Sequence, residues 1–217
     1  MSTEGQFIVF EGPDGSGKTT ALQMVADKLR QQGEEVLVTR EPGGTPFAEK
    51  IRELVLLPSQ SVHERDVDVD MLLVYGARAQ HLETRILPAL RHGVTVLCDR
   101  FSASTYAYQV GAGCANPDKF WVLEDNFVQR QPDTYLYLTA PLEQRLARMR
   151  ERAGETTDRF DDVAELIYEP MENAYETFFK EAPMRKRHKE TTFTRVDASQ
   201  DQKAVRDACL GLIKSVA

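Results

Sequence analysis

The sequence predicts an α/β domain: a mostly parallel sheet of about five strands, with helices on both faces and a mobile lid. Three observations carry that expectation. Strand-like and helix-like stretches alternate along the chain. One strand-to-helix junction, Gly12-Pro-Asp14-Gly15-Ser16-Gly17-Lys18-Thr19, has the spacing of a phosphate-cradling loop. The 217 residues, 41% of them hydrophobic, suit one domain with a proper core, so residues 1–217 are expected to form a single unit.

Taken in order, Phe7 to Phe10 is an apolar run short enough for a buried strand. Gly12, Gly15 and Gly17 let backbone N–H groups turn inward on a phosphate, and the following helix adds its positive end. Ala21, Leu22, Val25, Ala26 and Leu29 recur at helical spacing, and Gly33 closes that helix. Glu35 to Thr39 reads as a second strand. Arg40-Glu41-Pro42-Gly43-Gly44-Thr45 is a shaped turn, after which Thr45 or Pro46 can open a helix through Leu57. Pro58 to Val69 reads as a polar surface loop. From Asp70 a helical pattern runs to Leu90, with Pro88 placed to kink its last turn.

Gly93 to Arg100 is a short buried strand that ends on charges. Ser102 to Val110 reads as a short helix, Gly111 to Asn116 as a loop, and Asp118 to Arg130 as a helix. Thr134 to Leu138 is a strand, and Pro141 opens another helix. Arg152 to Asp161, polar and carrying Gly154, reads as a mobile segment. Glu165 to Phe179 returns to helical spacing. Thr192 to Val196 forms a last strand and Ala204 to Val216 a last helix.

The net charge of −7 argues against a nucleic-acid polymer as partner. No apolar run approaches the roughly 18 residues that span a membrane, and residues 1–6 are polar, unlike a signal peptide. Cys98, Cys114 and Cys209 match no metal spacing and suit a reducing cytoplasm, with Cys98 expected to be a buried thiol. The four histidines form no cluster, which disfavours zinc. Basic residues concentrate in Arg145 to Arg159 and in Arg185 to Lys189. Local basic spots on an acidic chain suit a small anionic ligand, and the second cluster reads as a solvated turn.

Three groups fall at strand ends, which converge on one crevice in this fold class: Asp14 to Thr20, Arg40 to Thr45, and Asp99-Arg100. Lys18 supplies a point charge to phosphate, and Thr19 a hydroxyl suited to Mg²⁺. Asp99 stands where a metal-related carboxylate would, although Asp99-Arg100 could equally be a local ion pair capping the sheet. Arg148 and Arg152 are four apart and can share one side of a helix end, and Arg159 follows a glycine-containing loop. The Asn-Lys-x-Asp motif of a GTPase is missing, and the Asp99 strand lacks the Asp-Glu ending of a motor. A small kinase fits the P-loop NTPase pattern better.

Arg40-Glu-Pro-Gly-Gly-Thr45, Asp99-Arg100 with Ser104 and Ala107-Tyr-Gln109, and the Arg148/Arg150/Arg152 run with Asp158-Arg159 resemble thymidylate kinase. The likeness extends from about Phe7 to Asp197. It is nearest the bacterial type, since residue 15 is Gly where other members carry Arg or Lys. The resemblance implies transfer of phosphate from ATP to dTMP with Mg²⁺, within dTTP synthesis, by a cytoplasmic homodimer. It implies that Gly12, Pro13, Asp14, Gly15, Ser16, Gly17, Lys18, Thr19 and Thr20 hold ATP, with Thr19 and Asp99 at the metal. Arg52 and Arg100 would clamp the monophosphate, with Asp14 and Glu41 near the sugar and the metal-bound phosphates. Arg78 would bond the thymine edge, and Ser104, Thr105 and Gln109 would line the nucleoside pocket. Lys18, Arg100, Arg148, Arg152 and Arg159 would serve the transferring group, the last three from a lid at about 148–161.

Val74 stands where the family usually has a Phe stacked on the base. Either Tyr75 supplies the ring from the next position, or the pocket is wider and admits a larger 5-substituent. Val110 to Cys114 lacks the arginine of the family's Gly-x-x-Arg turn, and Thr139 stands where an Asp is common. The alternatives are a kinase for a 5-substituted dUMP and a non-enzymatic nucleotide-responsive binding protein.

Overall fold

The computed structural model describes residues 4–57, 66–152 and 164–214. In chain order the elements are β1 (Phe7–Glu11), α1 (Lys18–Gln31), β2 (Val36–Arg40), α2 (Pro46–Val55), α3 (Val67–His81) and α4 (Leu87–Arg91). Then come β3 (Thr95–Asp99), α5 (Ser102–Thr105), α6 (Pro117–Phe127), β4 (Thr134–Thr139), α7 (Leu142–Arg152), α8 (Ala164–Glu181), β5 (Thr192–Asp197) and α9 (Gln202–Lys214). The five strands pair in the order β2-β3-β1-β4-β5, and every pairing is parallel.

Strand periodicity splits the core between the two faces. Phe7 and Val9 point into one cluster with Tyr75, Phe101, Phe120 and Phe178. Ile8 and Phe10 point into the other, with Leu22 and Val25 of α1 and Val205 and Cys209 of α9. All five residues of β1 are buried, because helices cover both of its sides. Cys98 is buried as expected. Since β1 is central, its carboxyl end opens into the crevice where the chain departs to either side of the sheet.

Several expected boundaries shift. The third helix starts at Val67, not Asp70, because Asp66 caps it by accepting from the Asp68 N–H at 2.7 Å. The rest of that supposed loop, 58–65, lies outside the described residues. The irregularity ascribed to Pro88 falls one turn earlier, in a π-helical turn at Leu82–Ile86. Pro88 has no N–H and its ring crowds the carbonyl four residues back, so the chain widens ahead of it. A second π turn, Tyr106–Ala112, carries the short helix into what reads as a loop. The helix expected to reach Arg130 stops at Phe127. The segment 153–163, with Arg159 and most of the expected lid, lies outside the described residues, as does the side chain of Arg152.

Candidate active site

Backbone conformation builds the loop at the end of β1. Gly12, Gly15 and Gly17 all take positive φ, at 141°, 76° and 88°. Two of them also have no space for a side chain. A Cβ on Gly12 would lie 2.2 Å from the Leu138 carbonyl oxygen, and one on Gly15 would lie 2.4 Å from that of Arg145. The loop is therefore wedged between β4 and α7.

Lys18 curls back so that Nζ donates to the Pro13 carbonyl at 2.9 Å. Burial, aided by the nearby Arg100 charge, lowers its pKa to about 8. Thr19 donates its hydroxyl to Asp99 Oδ2 at 2.5 Å, while Asp99 Oδ1 is buried with no hydrogen-bond partner among the described residues.

Arg100 does not pair with Asp99. The backbone turns at Arg100 with φ 71°, and its guanidinium donates to Asp14, to Ser104 Oγ at 3.0 Å and to Tyr175 Oη at 3.2 Å. Asp14 also accepts the Tyr108 hydroxyl. Burial opposes the Arg100 charge, but Tyr108 and Asp14 outweigh it and hold the pKa above the ordinary arginine value. Beneath this group lies Glu11, fully buried, accepting from Phe101 N at 2.7 Å and from Ser104 Oγ at 2.6 Å. Desolvation raises its pKa against those bonds.

Two cavities flank Arg100. The larger, about 470 Å³, runs from Asp14 to Ala21 and takes in Asp99, Arg148, Gln200 and Gln202. The smaller, about 140 Å³, is lined by Val74, Arg78, Phe101, Ser104, Thr105, Tyr108 and Gln109. Asp14, Glu41, Arg52 and Arg100 line both. Arg52 reaches the shared wall from α2, donating to the Pro42 carbonyl at 3.0 Å. Arg148 crosses from α7 to the loop and donates to Gly15 O at 3.3 Å and Ala198 O at 2.9 Å.

In the smaller cavity Arg78 donates Nε to Glu41 at 2.6 Å and Nη2 to Thr105 at 2.8 Å. Its Nη1 is buried without a hydrogen-bond partner among the described residues. Burial works against the Glu41 charge, but Arg78 and His81 prevail and lower its pKa. Val74 lines this cavity and Tyr75 does not, since Tyr75 turns into the core and donates to Glu124 at 2.8 Å. One residue step turns a side chain by about 100°, so the neighbouring ring cannot replace one at position 74.

A thymidylate kinase family model matches residues 10–208, from the end of β1 through the loop, both cavities and the other four strands. The chain belongs to the thymidylate kinase family. Curated thymidylate kinases agree along nearly the whole chain. That of Pseudomonas entomophila (strain L48) is 42% identical over 214 residues, covering 98% of this chain and 96% of its own. That of Acinetobacter baumannii (strain ACICU) is 39% identical over 206 residues, covering 94% and 98%. The crystal structure of thymidylate kinase from Ehrlichia chaffeensis shares the fold at a TM-score of 0.74 and 24% identity, covering 97% of this chain and 99% of its own.

Within this thymidylate kinase fold the basic cluster at 185–189 is only partly a solvated turn, with Lys186 and Lys189 exposed. Arg185 stacks 4.1 Å over the Trp121 ring, and His188 is buried. Glu11, His81, Tyr108 and Tyr175 were not legible as site residues. Only Tyr108 had a local signal, standing four residues after Ser104 on the same helical face.

Proposed function

We propose that the chain transfers the terminal phosphoryl group of ATP directly to dTMP, forming dTDP for dTTP synthesis. The shared wall of the two cavities carries the reading. A triphosphate on the loop and a monophosphate in the smaller cavity would face each other across Arg52 and Arg100. The acceptor oxygen is largely ionised at neutral pH, its second pKa being about 6, so no strong general base is required. The obstacle is repulsion, about 4 kcal/mol per pair of unit charges at about 4 Å and an effective dielectric of about 20. Cations held rigidly before the substrates arrive lower it without reorganisation.

Lys18 and the loop N–H groups would grip the donor phosphates, and Arg100 and Arg52 the acceptor phosphate. Arg78 would meet the base edge with its unpartnered Nη1. Arg148 would neutralise the transferring group, joined by Arg152 and Arg159 from the lid. Thr19 and Asp99 suit Mg²⁺, which takes one carboxylate, a hydroxyl and phosphate oxygens, and Asp99 Oδ1 has an acceptor position to spare. Bound there, Mg²⁺ would supply charge neutralisation on the donor phosphates.

Coupled ADP release measured with dTMP, dUMP and 5-substituted dUMP analogues tests the reading. Turnover with dTMP is expected, and no turnover on any of them overturns it. ATP binding without turnover would favour the binding-protein alternative. One observation favours a variant substrate. Val74 leaves the base side without a stacking ring at that position, so a bulkier 5-substituent would fit. A higher kcat/KM for such an analogue than for dTMP would reassign the acceptor.

We also propose a homodimer in the cytoplasm. Phe47 of α2, Leu72 of α3 and Val122 of α6 are each more than half exposed, at 61%, 57% and 59%. Gly76 on α3 has no atom within 4 Å of its would-be Cβ. A glycine mid-helix costs about 1 kcal/mol, and close approach by a second copy would explain it. Among the described residues no helix is long and apolar enough to cross a membrane.

A further inference from the structure

The Glu41 carboxylate is gripped at both oxygens. Oε2 takes Arg78 Nε at 2.6 Å, and Oε1 lies 3.0 Å from His81 Nδ1. The other ring nitrogen of His81 lies 2.7 Å from Thr39 Oγ1. His81, Glu41 and Arg78 are at most 2% exposed. A carboxylate acceptor places a proton on Nδ1, and the other ring nitrogen shares a hydrogen bond with the Thr39 hydroxyl. The imidazole thus bridges β2 to the turn after it, from the last turn of α3.

Gly44 closes the arrangement. A Cβ there would lie 2.3 Å from His81 Nε2 and 2.7 Å from Thr39 Oγ1, so the 40–45 turn folds directly over the ring. His81 lines neither cavity.

We propose that His81 is a positioning residue for acceptor recognition: it fixes the plane of the Glu41 carboxylate, and Glu41 in turn aims Arg78 into the smaller cavity. This rests on reading that cavity as the acceptor site. A carboxylate held at one oxygen can rotate about its terminal bond, whereas one held at both cannot. Arg78 is a planar fork whose Nε belongs to Glu41 and whose Nη2 belongs to Thr105, so the direction of Nη1 follows the plane of Glu41. Loss of the imidazole would release that plane while leaving the phosphate loop untouched.

The test is a double-mutant cycle of His81→Phe and Arg78→Ala, read by calorimetric binding of dTMP and of ATP. His81→Phe is expected to weaken dTMP about tenfold and to change ATP affinity less than about twofold, with less than a further twofold loss on dTMP in the Arg78→Ala background. His81→Gln, which can still donate to Glu41, should recover most of the dTMP affinity. Equal losses in both backgrounds, an unchanged dTMP affinity, or a loss confined to ATP overturns the proposal. A wild-type protein that binds ATP but no dTMP overturns the acceptor reading, and this proposal with it. Should His81→Phe fail to fold, Thr39→Val, which removes the hydroxyl on the other ring nitrogen, carries the same cycle and is expected to lose part of the dTMP affinity only where Arg78 is present.

Discussion

Lys18 is a lysine that starts to lose its proton about one pH unit above neutrality. Its ordinary pKa of 10.5 falls to about 8, chiefly through burial and then through Arg100. The folded chain therefore binds fewer protons than the unfolded one between pH 8 and 10.5. The resulting destabilisation is complete below pH 8 and is relieved as pH rises towards 10.5. A bound phosphate reverses the shift, since an adjacent anion favours the charged form. ATP binding near pH 8 should therefore take up a fraction of a proton, visible as a dependence of calorimetric enthalpy on buffer ionisation enthalpy. The uptake should fade towards pH 6, where Lys18 is already charged. Buffer-independent enthalpies at pH 8 would contradict the assignment. Arg100 shows a related economy. Held at φ 71° and paired with Asp14, it meets an incoming phosphate already oriented, with a carboxylate in the place the ligand would contest.

At the scale of elements, the second π turn is the part that sequence spacing hides. It carries Tyr108 and Gln109 to the smaller cavity, and it can do so because Gly111 lets α8 press against it. A Cβ on Gly111 would lie 2.5 Å from Ala174 Cβ and 2.8 Å from the Pro170 carbonyl. Gly111→Leu should lower stability by about 1–3 kcal/mol, as overpacking does, and shift the urea midpoint down. An unchanged midpoint would mean that α8 can back away at no cost. The strands and the phosphate loop were legible because their signals are contiguous: buried apolar runs, and a motif whose parts act on one phosphate. Asp99 and Arg100 were legible from their place at a strand end, and Arg78 through resemblance. The polar bonds that hold them were not. Tyr175 reaches Gly12 across 163 positions, and Ser104 reaches Glu11 across 93. No periodicity encodes which buried glutamate meets which helix, because that depends on packing. Pro88 did signal irregularity, but its effect is steric and acts one turn upstream.

For the whole molecule, the apolar exposure on α2, α3 and α6 predicts the assembly state. Light scattering after gel filtration should give twice the chain mass of 24.5 kDa, and Leu72→Glu should give the monomer, since a carboxylate cannot be desolvated against a second copy. A wild-type monomer at micromolar concentration would remove the dimer. The same molecule also limits what can stand at position 15. The space a side chain would need at position 15 is occupied by the backbone of α7, and α7 is the element that brings Arg148 to the loop. A cation on the loop and a cation on this helix are thus competing tenants of one volume. Replacing Gly15 with Arg would evict the helix that already delivers the charge. Exchanging one arrangement for the other at position 15 therefore requires α7 to move.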